Sequence, residues 1–499
     1  MTTTKSKSVL IISILIILGF VLFSILSPEG MKSGVDFLFD GMTTKLGWFY
    51  MLSVAFFIVV ALFFALGPYG KIRLGDDDEK PEFSNFGWFA QLFGSGMGIG
   101  LVFWSVAEPI MHYASPPYGE GGTPEAMSLA MQISFFHWGI HPWVAYAIGG
   151  LALAYVQFRK KMPCLISSAF YPLLGDKIYG PIGKAIDIFT IITPLFAIAT
   201  SLGLGANQIA AGIGYIWGVE SSPGMVAIII SVITVIFTLA TISGLHKAIQ
   251  AVANLKVWLS IAFMVFIFLF GGMVFILNHF SQAIGDYIQN FIGQTFWMGN
   301  MGWLSGWTIF YWAWWIAAVP FVGQFMARVS RGRTIREFIF GVSLLPAAFS
   351  LIWFAIYGGA AFNLNELSGG VIQEAVNADY TSALFVFLNQ LPAYSVTSIA
   401  ALVLIVTCFV GLANSETYVL AMFASGGEMN PNKKLRGCWG AAQGALTIAL
   451  ILISGTSALK TLQTSSIVAA FPFAVLMIIM CVSLWKALSE DHKNIGSKL

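Results

Sequence analysis

The sequence predicts an all-α membrane protein, because long apolar runs follow one another along almost the whole chain. Of its 499 residues, 58% are hydrophobic and only 10% are charged. Soluble domains carry about 25% charged residues, so this deficit indicates that lipid is the main solvent. A bilayer core requires about 20 apolar residues per helix. The sequence offers twelve runs of that kind, and we therefore predict twelve transmembrane helices.

The loops between the apolar runs are mostly short, which leaves no room for a soluble domain of any size. A cytosolic enzyme with a membrane anchor is therefore nearly excluded. The first run is long for a signal peptide and lacks an A-x-A-like cleavage site, so we expect it to be retained as the first span. The predicted spans are residues 8–27, 46–67, 86–112, 127–158, 185–216, 224–243, 250–278, 303–328, 335–361, 395–423, 437–455 and 464–486.

The distribution of lysine and arginine predicts the orientation of the spans, because basic residues concentrate in cytoplasmic loops. If the N-terminus is cytoplasmic, only three of the 25 basic residues fall in outer loops, namely Lys32, Lys45 and Lys460. The main clusters of the others are residues 159–161, 328–336 and 433–436. Both termini are therefore predicted to be cytoplasmic.

The composition gives no indication of a cofactor or of a nucleic-acid partner. The four cysteines and six histidines show no spacing typical of metal ligands or of a disulfide framework. The net charge is +2, which provides no strong attraction for nucleic acid. The sequence contains no G-x-x-x-x-G-K-S/T loop and no recognisable catalytic dyad, so an ATP-driven pump, a membrane enzyme and a sensor are unsupported. We expect no cofactor, no metal and no catalytic residue.

A run of glycines interrupts the third span, where Gly94, Gly96, Gly98 and Gly100 flank Met97. Each glycine weakens a helix by about 1 kcal/mol relative to alanine. One interpretation is an unwound segment whose carbonyls face a substrate or an ion, as in carriers with broken helices. The other is close helix packing through small residues. The pattern alone leaves both open.

Aromatic residues gather inside two spans instead of at the membrane interfaces, where tryptophan is usually found. In the eighth span, Phe310 and Tyr311 precede the segment Trp312-Ala313-Trp314-Trp315, about eight residues past the start of the run. The fourth span contains a second group. Its members are His137, Trp138, Trp143 and Tyr146.

Two such groups on different helices are able to form an aromatic box near the middle of the bilayer. The ring faces would hold a cation by cation–π attraction, worth roughly 2 kcal/mol or more when desolvated. A methylated ammonium suits the box, because it has no N–H to satisfy and its methyl groups favour apolar walls. The alternative is ordinary aromatic packing between helices.

Charged residues inside spans are a third unusual feature of the sequence, after the glycine run and the aromatic groups, since charges are costly in lipid and often functional. Lys256 lies in the seventh span, Glu416 in the tenth and Glu108 at the far end of the third. Lys256 could simply extend to the cytoplasmic surface, as lysines near helix ends do. Glu416 also lies in the inner half of its span, so a Lys256–Glu416 pair that keeps the lysine charged is geometrically possible.

The segment Tyr311-Trp312-Ala313-Trp314-Trp315, with Pro320-Phe321-Val322-Gly323 and residues 327–338 after it, resembles the signature of the betaine/choline/carnitine transporters. Gly96–Gly100, Glu108-Pro109, Phe136–Trp138 and Ser201–Gly205 fit the same family. The resemblance covers essentially the whole chain. It implies a leucine-transporter-like core of two inverted five-helix repeats, a homotrimer, and the inner membrane of a prokaryote as the location.

The resemblance also implies domain boundaries. Residues 1–84 would form two peripheral helices, 85–279 the first repeat, 280–487 the second repeat with a periplasmic connector at its start, and 488–499 a short cytoplasmic tail.

Residue by residue, the resemblance implies an ammonium site with an access path and a main-chain segment for a substrate carboxylate. The predicted ammonium-binding aromatics are Trp138, Tyr146, Trp314 and Trp315. The predicted access-path residues are Phe310 and Trp312. The predicted main-chain segment is Gly96, Met97 and Gly98.

This sequence departs from the family at two places. Many members carry an aromatic residue where Ala318 stands, so one wall of the box is expected to be open. Sodium-coupled members also carry hydroxyl ligands where this chain has Gly411 and Leu412. Lys256, with help from Glu416, is predicted to take the place of the missing sodium ion, because the antiporter of the family has an arginine at that position.

Together these features predict a secondary active transporter for glycine betaine, carnitine, choline or related betaines, with membrane lipid as its surroundings. We favour a sodium-independent exchanger. The alternative is a sodium- or proton-coupled betaine or choline symporter for osmoprotection, which the intact Gly-Met-Gly-Ile-Gly segment favours.

Overall fold

The computed structural model of the protein describes residues 2–96, 98–243, 246–454 and 458–496. Within these ranges the chain is predominantly helical and contains no strand, only an isolated β-bridge between Arg73 and Thr334. The α-helices of the first half are α1 (Thr2–Leu26), α2 (Pro28–Leu66), α3 (Asn85–Gly96), α4 (Ile99–Ala114), α5 (Pro124–Trp138), α6 (Ile140–Ala154), α7 (Tyr171–Leu174), α8 (Pro181–Trp217), α9 (Pro223–Ser243) and α10 (His246–Phe270). Those of the second half are α11 (Met273–Gln289), α12 (Phe291–Thr295), α13 (Met301–Gly306), α14 (Thr308–Val329), α15 (Ile335–Leu367), α16 (Val371–Ala378), α17 (Ala383–Asn389), α18 (Tyr394–Ala424), α19 (Lys433–Ser454) and α20 (Ala458–Gly496).

The predicted all-α membrane architecture is confirmed. In the described ranges, 11 helices are long and apolar enough to cross a bilayer, and there are 12 if the bent pair α3–α4 counts as one span. The two members of this pair meet at 62° across the glycine run. A broken helix is therefore present where the glycines predict one, although Met97 itself lies outside the described residues.

Three spans that the sequence predicts to be continuous are broken, and the break in the predicted span 303–328 lies at Trp307 between α13 and α14. The predicted span 250–278 ends as α10 at Phe270, and α11 begins after Gly272, which has a φ of +97°. A Cβ at Gly272 would lie 2.3 Å from Nδ2 of Asn363. The same Nδ2 donates a 3.0 Å hydrogen bond to the Gly271 carbonyl. The turn therefore requires glycine, and a side chain of α15 satisfies a carbonyl that the helix leaves open.

The predicted span 127–158 is interrupted at Gly139, between α5 and α6. The hydroxyl of Tyr287 on α11 accepts a 3.1 Å hydrogen bond from the Ile140 N–H. It thus replaces a partner that the broken helix no longer supplies. The break falls directly after Trp138.

Close crossing of α6 and α14 fixes the two aromatic groups relative to each other. A Cβ at Gly150 would lie 3.0 Å from the Gly323 carbonyl oxygen, and a Cβ at Gly149 would lie 2.1 Å from the side chain of Val319. Small residues let the backbones approach, as is usual for helices in membranes. Trp314 and Trp315 of α14 are thereby held next to Trp138 and Tyr146.

The basic clusters of residues 159–161 and 328–336 meet acidic residues at one end of the bundle. Arg328 binds Glu82 at 2.7 Å, and Arg159 binds Asp491 at 3.0 Å. The hydrogen bond from Arg328 holds the pKa of Glu82, which lies between spans, below its usual value. These contacts join the loop between α2 and α3 to the end of α14, and the segment after α6 to the end of α20.

Candidate functional site

A cavity with a volume of about 960 Å³ lies among the described helices and is lined mainly by apolar side chains. Its wall comes from the broken pair α3–α4 and from α5, α6, α8, α9, α10, α14 and α18. A cavity of this size is at the upper end of the range for small-molecule sites. Two helix breaks lie beside this cavity. One is at Gly98 in the glycine run, and the other is at Gly139, directly after Trp138.

Four of the predicted ammonium-binding aromatics meet at this cavity. The ring centroids of Trp138 and Trp315 are 5.5 Å apart at an interplanar angle of 77°, and those of Trp138 and Trp314 are 6.4 Å apart at 89°. Tyr146 lies 5.1 Å from Trp315. Trp143 lies 5.3 Å from the same ring. The edge-to-face geometry leaves ring faces directed at several angles around a common space.

Trp314 is held rigidly from two sides. Its Nε1 donates a 3.1 Å hydrogen bond to the Ala197 carbonyl of α8, and the Phe310 ring stacks on it at 5.4 Å. On the side of α4, a Cβ at Gly100 would lie 2.5 Å from Cη2 of Trp314 and 3.1 Å from Cη2 of Trp138. Gly100 is therefore the residue that allows the helix backbone to approach both rings.

Phe310 and Trp312 do not line the cavity in this structure, although both are predicted access-path residues. Trp312 stacks on His141 at 5.6 Å and contacts Phe136 edge-on at 5.1 Å. Trp312 lies one turn, about 4.5 Å along the axis, before Trp315. That displacement places it against α5 and α6 and not against the cavity. Phe310 supports Trp314 from behind.

Glu108 is a site residue that the sequence analysis did not assign. Its carboxylate is completely buried, and its Oε2 accepts hydrogen bonds from Trp138 Nε1 at 2.7 Å and from the Tyr311 hydroxyl at 2.5 Å. Its Oε1 pairs with His137 Nδ1 at 2.7 Å and with His112 Nε2 at 3.3 Å. The available signal was an acidic residue inside a span, four positions before a histidine.

Glu108, His112 and His137 bring one possible metal ligand each within 4.8 Å of one another. Both carboxylate oxygens are already occupied by hydrogen bonds from two aromatic residues and by the two imidazoles. The arrangement is therefore a hydrogen-bond network centred on Glu108 that orients Trp138 and Tyr311.

Lys256 lines the cavity, and its side chain is directed toward α3. Its ammonium donates a 3.3 Å hydrogen bond to the Gly94 carbonyl of α3, and the Cys408 thiol of α18 is an electrostatic neighbour. Gly411 and Leu412 line the same wall, and a Cβ at Gly411 would meet nothing within 4 Å. The lysine thus lies between the third and tenth spans.

Within the described residues, the structure does not bring Lys256 and Glu416 into the pair that the sequence left geometrically possible. Glu416 lines the cavity and is 2% exposed, but in the described residues it forms no ion pair with Lys256. Its Oε1 has no hydrogen-bond partner. The rotation of α10 about its axis directs the lysine toward α3 instead of toward the carboxylate.

The remaining predicted residues have simple positions. Ala318 is half-buried and faces the cavity one turn after Trp314. Gly98 lines the cavity with extended backbone, and no atom lies within 4 Å of the position that a Cβ would take. Gly96 is the last residue of α3.

Multiple apolar spans around one large aromatic cavity define a multi-pass membrane carrier. The sequence matches the BCCT, betaine/carnitine/choline family transporter, over residues 8–493, and the protein belongs to this family. The family resemblance drawn from the motifs is confirmed.

Several curated relatives are similar along nearly their whole length. A probable glycine betaine transporter of Desulfitobacterium hafniense (strain Y51) is 65% identical over 98% of each chain. The glycine betaine transporter OpuD of Bacillus subtilis (strain 168) is 43% identical over 98% of this chain and 96% of its own. An ectoine/hydroxyectoine transporter of Virgibacillus pantothenticus is 38% identical over 99% and 98%, respectively.

Proposed function

We propose that the protein is a secondary active transporter that moves quaternary- or trimethylammonium solutes across the cytoplasmic membrane. The observation that carries this proposal is the meeting of Trp138, Trp314 and Trp315 at one buried cavity. Their ring faces attract a methylated ammonium by about 2 kcal/mol or more when water is excluded. Such a head group has no N–H that would be left unsatisfied among apolar walls.

Glycine betaine is the first candidate substrate, because relatives of this chain are named as glycine betaine transporters. Its carboxylate requires donors near the box. The indole nitrogens of Trp143 and Trp315 are buried and have no hydrogen-bond partner in the described ranges. The interrupted backbone at Gly98 lines the same cavity and permits close approach of a ligand. Choline, carnitine and related betaines remain competing substrates.

We further propose that transport is a sodium-independent exchange. Hard cations such as sodium need several oxygen ligands, and Gly411 and Leu412 offer no side-chain oxygen. The ammonium of Lys256 would place a fixed positive charge beside the Gly94 carbonyl of α3, and this charge would repel a second cation there. The alternative is a cation-coupled symporter, which the glycine-rich break between α3 and α4 favours, because its free carbonyls are typical ion ligands.

Several features of the assembly complete the proposal. Residues 85–279 and 280–487 would be inverted repeats, with residues 1–84 peripheral, and three copies would associate. Both termini would be cytoplasmic. The cavity wall draws on the last turns of α9, the first turns of α10 and the C-terminal half of α18. In this proposed orientation those segments would be cytoplasmic, and the cavity would be accessible from the cytoplasm.

Counterflow in proteoliposomes tests the proposed function. Vesicles are loaded with unlabelled glycine betaine and placed in sodium-free buffer that contains labelled glycine betaine. We expect transient accumulation of label, and its loss when internal substrate is omitted. Trp258→Leu is the control for tryptophan-to-leucine changes in the cavity and should retain counterflow, because Trp258 is 70% exposed and does not line the cavity. Failure of wild-type protein to take up glycine betaine, choline or carnitine under any ion gradient would refute the proposal.

A further inference from the structure

Glu416 of α18 is a buried acid to which the proposed function assigns no role. It is 2% exposed, lines the cavity and has an Oε1 atom without a hydrogen-bond partner. Buried polar atoms are almost always paired, so each exception requires an explanation. An ionised carboxylate in such a place would be strongly destabilising unless a cation or several donors compensated its charge.

The groups around Glu416 offer no such compensation in the described residues. Lys256 on α10 faces the same cavity but donates to the Gly94 carbonyl of α3. Tyr146 on α6 is an electrostatic neighbour, and Cys408 lies two turns earlier on α18. Neither of these two side chains is a cation.

In the described residues, no side chain of the other helices packed against α18 is paired with this acid, and Lys433 and Lys434 at the start of α19 are exposed. The described residues of α9 include no titratable side chain. On α8, Asp187 accepts a hydrogen bond from the Ser167 N–H. Arg436 of α19 donates to the Pro431 carbonyl and to Asn430. Glu108 and His112 of α4 bind each other, and Tyr311 of α14 donates to Glu108.

We propose that Glu416 is a proton-binding site of the substrate cavity, and that the cationic head group of a substrate displaces its proton. The inference rests on the proposed function. In the empty cavity the carboxyl group is neutral. When a cation enters, the O–H bond breaks, the proton passes to water, and the carboxylate left behind is compensated by the bound ammonium. With choline, whose net charge is +1, the charge of the cavity is the same in both states; with zwitterionic glycine betaine, the ammonium compensates Glu416 and the ligand carboxylate adds one negative charge.

Displacement of a proton links substrate affinity to pH. A ligand whose binding releases a proton binds more tightly as pH rises, by up to about tenfold per pH unit while the carboxyl group is protonated in the free protein. Glu416→Gln keeps the shape of the neutral carboxyl group but has no proton to release. Its affinity for the same ligand should therefore be independent of pH.

Isothermal titration calorimetry on the purified full-length protein tests this inference, with glycine betaine and choline as the probes. Each titration is repeated at one pH in phosphate and in Tris, whose ionisation enthalpies differ, so that the number of released protons follows from the difference in heat. We expect about one proton per bound ligand for the wild type and none for Glu416→Gln.

The outcomes separate the two claims. Binding to the wild type with no proton release between about pH 6 and 8, or equal release by Glu416→Gln, overturns the role of Glu416 and leaves the proposed function intact. Absence of binding of either ligand to folded wild-type protein overturns the proposed function itself, and this inference with it. If Glu416→Gln does not fold, Glu416→Asp supplies the second variant, since a shortened acid should release its proton with a shifted pH profile.

Discussion

The indole nitrogen of Trp138 donates a 2.7 Å hydrogen bond to Glu108, and both residues are buried. Through this bond an acidic residue on α4 sets the angle at which a ring at the end of α5 faces the cavity. The Tyr311 hydroxyl of α14 binds the same oxygen, so one carboxylate aligns aromatic residues from two helices. The charge of Glu108 acts through the rings that it orients and not through contact with a ligand.

Replacing Glu108 by glutamine should misalign the box. A carboxamide has one accepting oxygen where the carboxylate has two, so at least one buried donor among its partners loses its acceptor at a cost of about 1–3 kcal/mol. We expect weaker glycine betaine binding together with a lower melting temperature. Glu125→Gln, at an exposed position in the first turn of α5, is the control and should change neither quantity. Unchanged affinity in Glu108→Gln would show that Trp138 needs no anchor.

Replacing Trp315 by leucine keeps apolar bulk but removes the electron-rich face. Ammonium binding should weaken by roughly 1–2 kcal/mol, measured as the dissociation constant of glycine betaine. Trp312→Leu is the matched comparison, because Trp312 is also buried in α14 but lies outside the cavity wall. It should lower stability more than affinity. Equal affinity of Trp315→Leu and wild type would rule out the box.

Introducing a ring at Ala318 should close the open wall of the cavity. Ala318 faces the cavity one turn after Trp314, so tryptophan there would reduce the space for long ligands. Ala318→Trp is expected to shift the ranking of competitors toward compact glycine betaine and choline and away from carnitine. Inhibition constants for the three compounds measure this ranking. An unchanged ranking would mean that the residue does not contact substrate.

Adding a single methyl group at Gly100 should disturb two tryptophans at once. The new Cβ would lie 2.5 Å from Trp314 and 3.1 Å from Trp138, so both rings or the helix must shift. Overpacking of this kind costs about 1–3 kcal/mol, which thermal unfolding would register. Gly285→Ala, where nothing lies within 4 Å of the new Cβ, is the control. A Gly100→Ala protein as stable as this control would contradict the packing described here.

Removing the ammonium of Lys256 should reveal whether it replaces a sodium ion. Wild-type uptake is expected to be independent of sodium, whereas Lys256→Met should be inactive or respond to sodium, because the fixed charge between α3 and α18 is gone. Sodium titration of uptake in both proteins measures this. A steep sodium dependence of the wild type would refute the substitution.

The fold was predictable where local composition decides it. The length and apolarity of each run locate the membrane spans, and the glycines before Ile99 locate the break between α3 and α4. The interruptions at Gly139 and Gly272 were not predictable, because they depend on Tyr287 and Asn363, side chains of distant helices. One or two glycines in an apolar run do not indicate whether a side chain of a distant helix will bind the backbone groups that a helix break leaves unpaired.

The residue types of the site were predictable, but the side chains that face the cavity were not. The aromatic run on α14 indicates a cluster of rings, yet only the crossing with α6 determines that Trp315 meets the cavity and Trp312 does not. Similarly, Lys256 and Glu416 both lie in inner halves of their spans. The rotation of each helix, which packing decides, keeps them from forming a pair.

The central claim is that the tryptophan-lined cavity holds a methylated ammonium by its positive charge. The most direct test compares glycine betaine with 3,3-dimethylbutanoate, in which a carbon atom replaces the quaternary nitrogen at nearly the same shape. Competition binding to the wild type should favour glycine betaine by roughly 30-fold or more, as expected for a cation–π contribution of about 2 kcal/mol. The preference should shrink in Trp315→Leu. Equal affinity of the wild type for both compounds would contradict the claim.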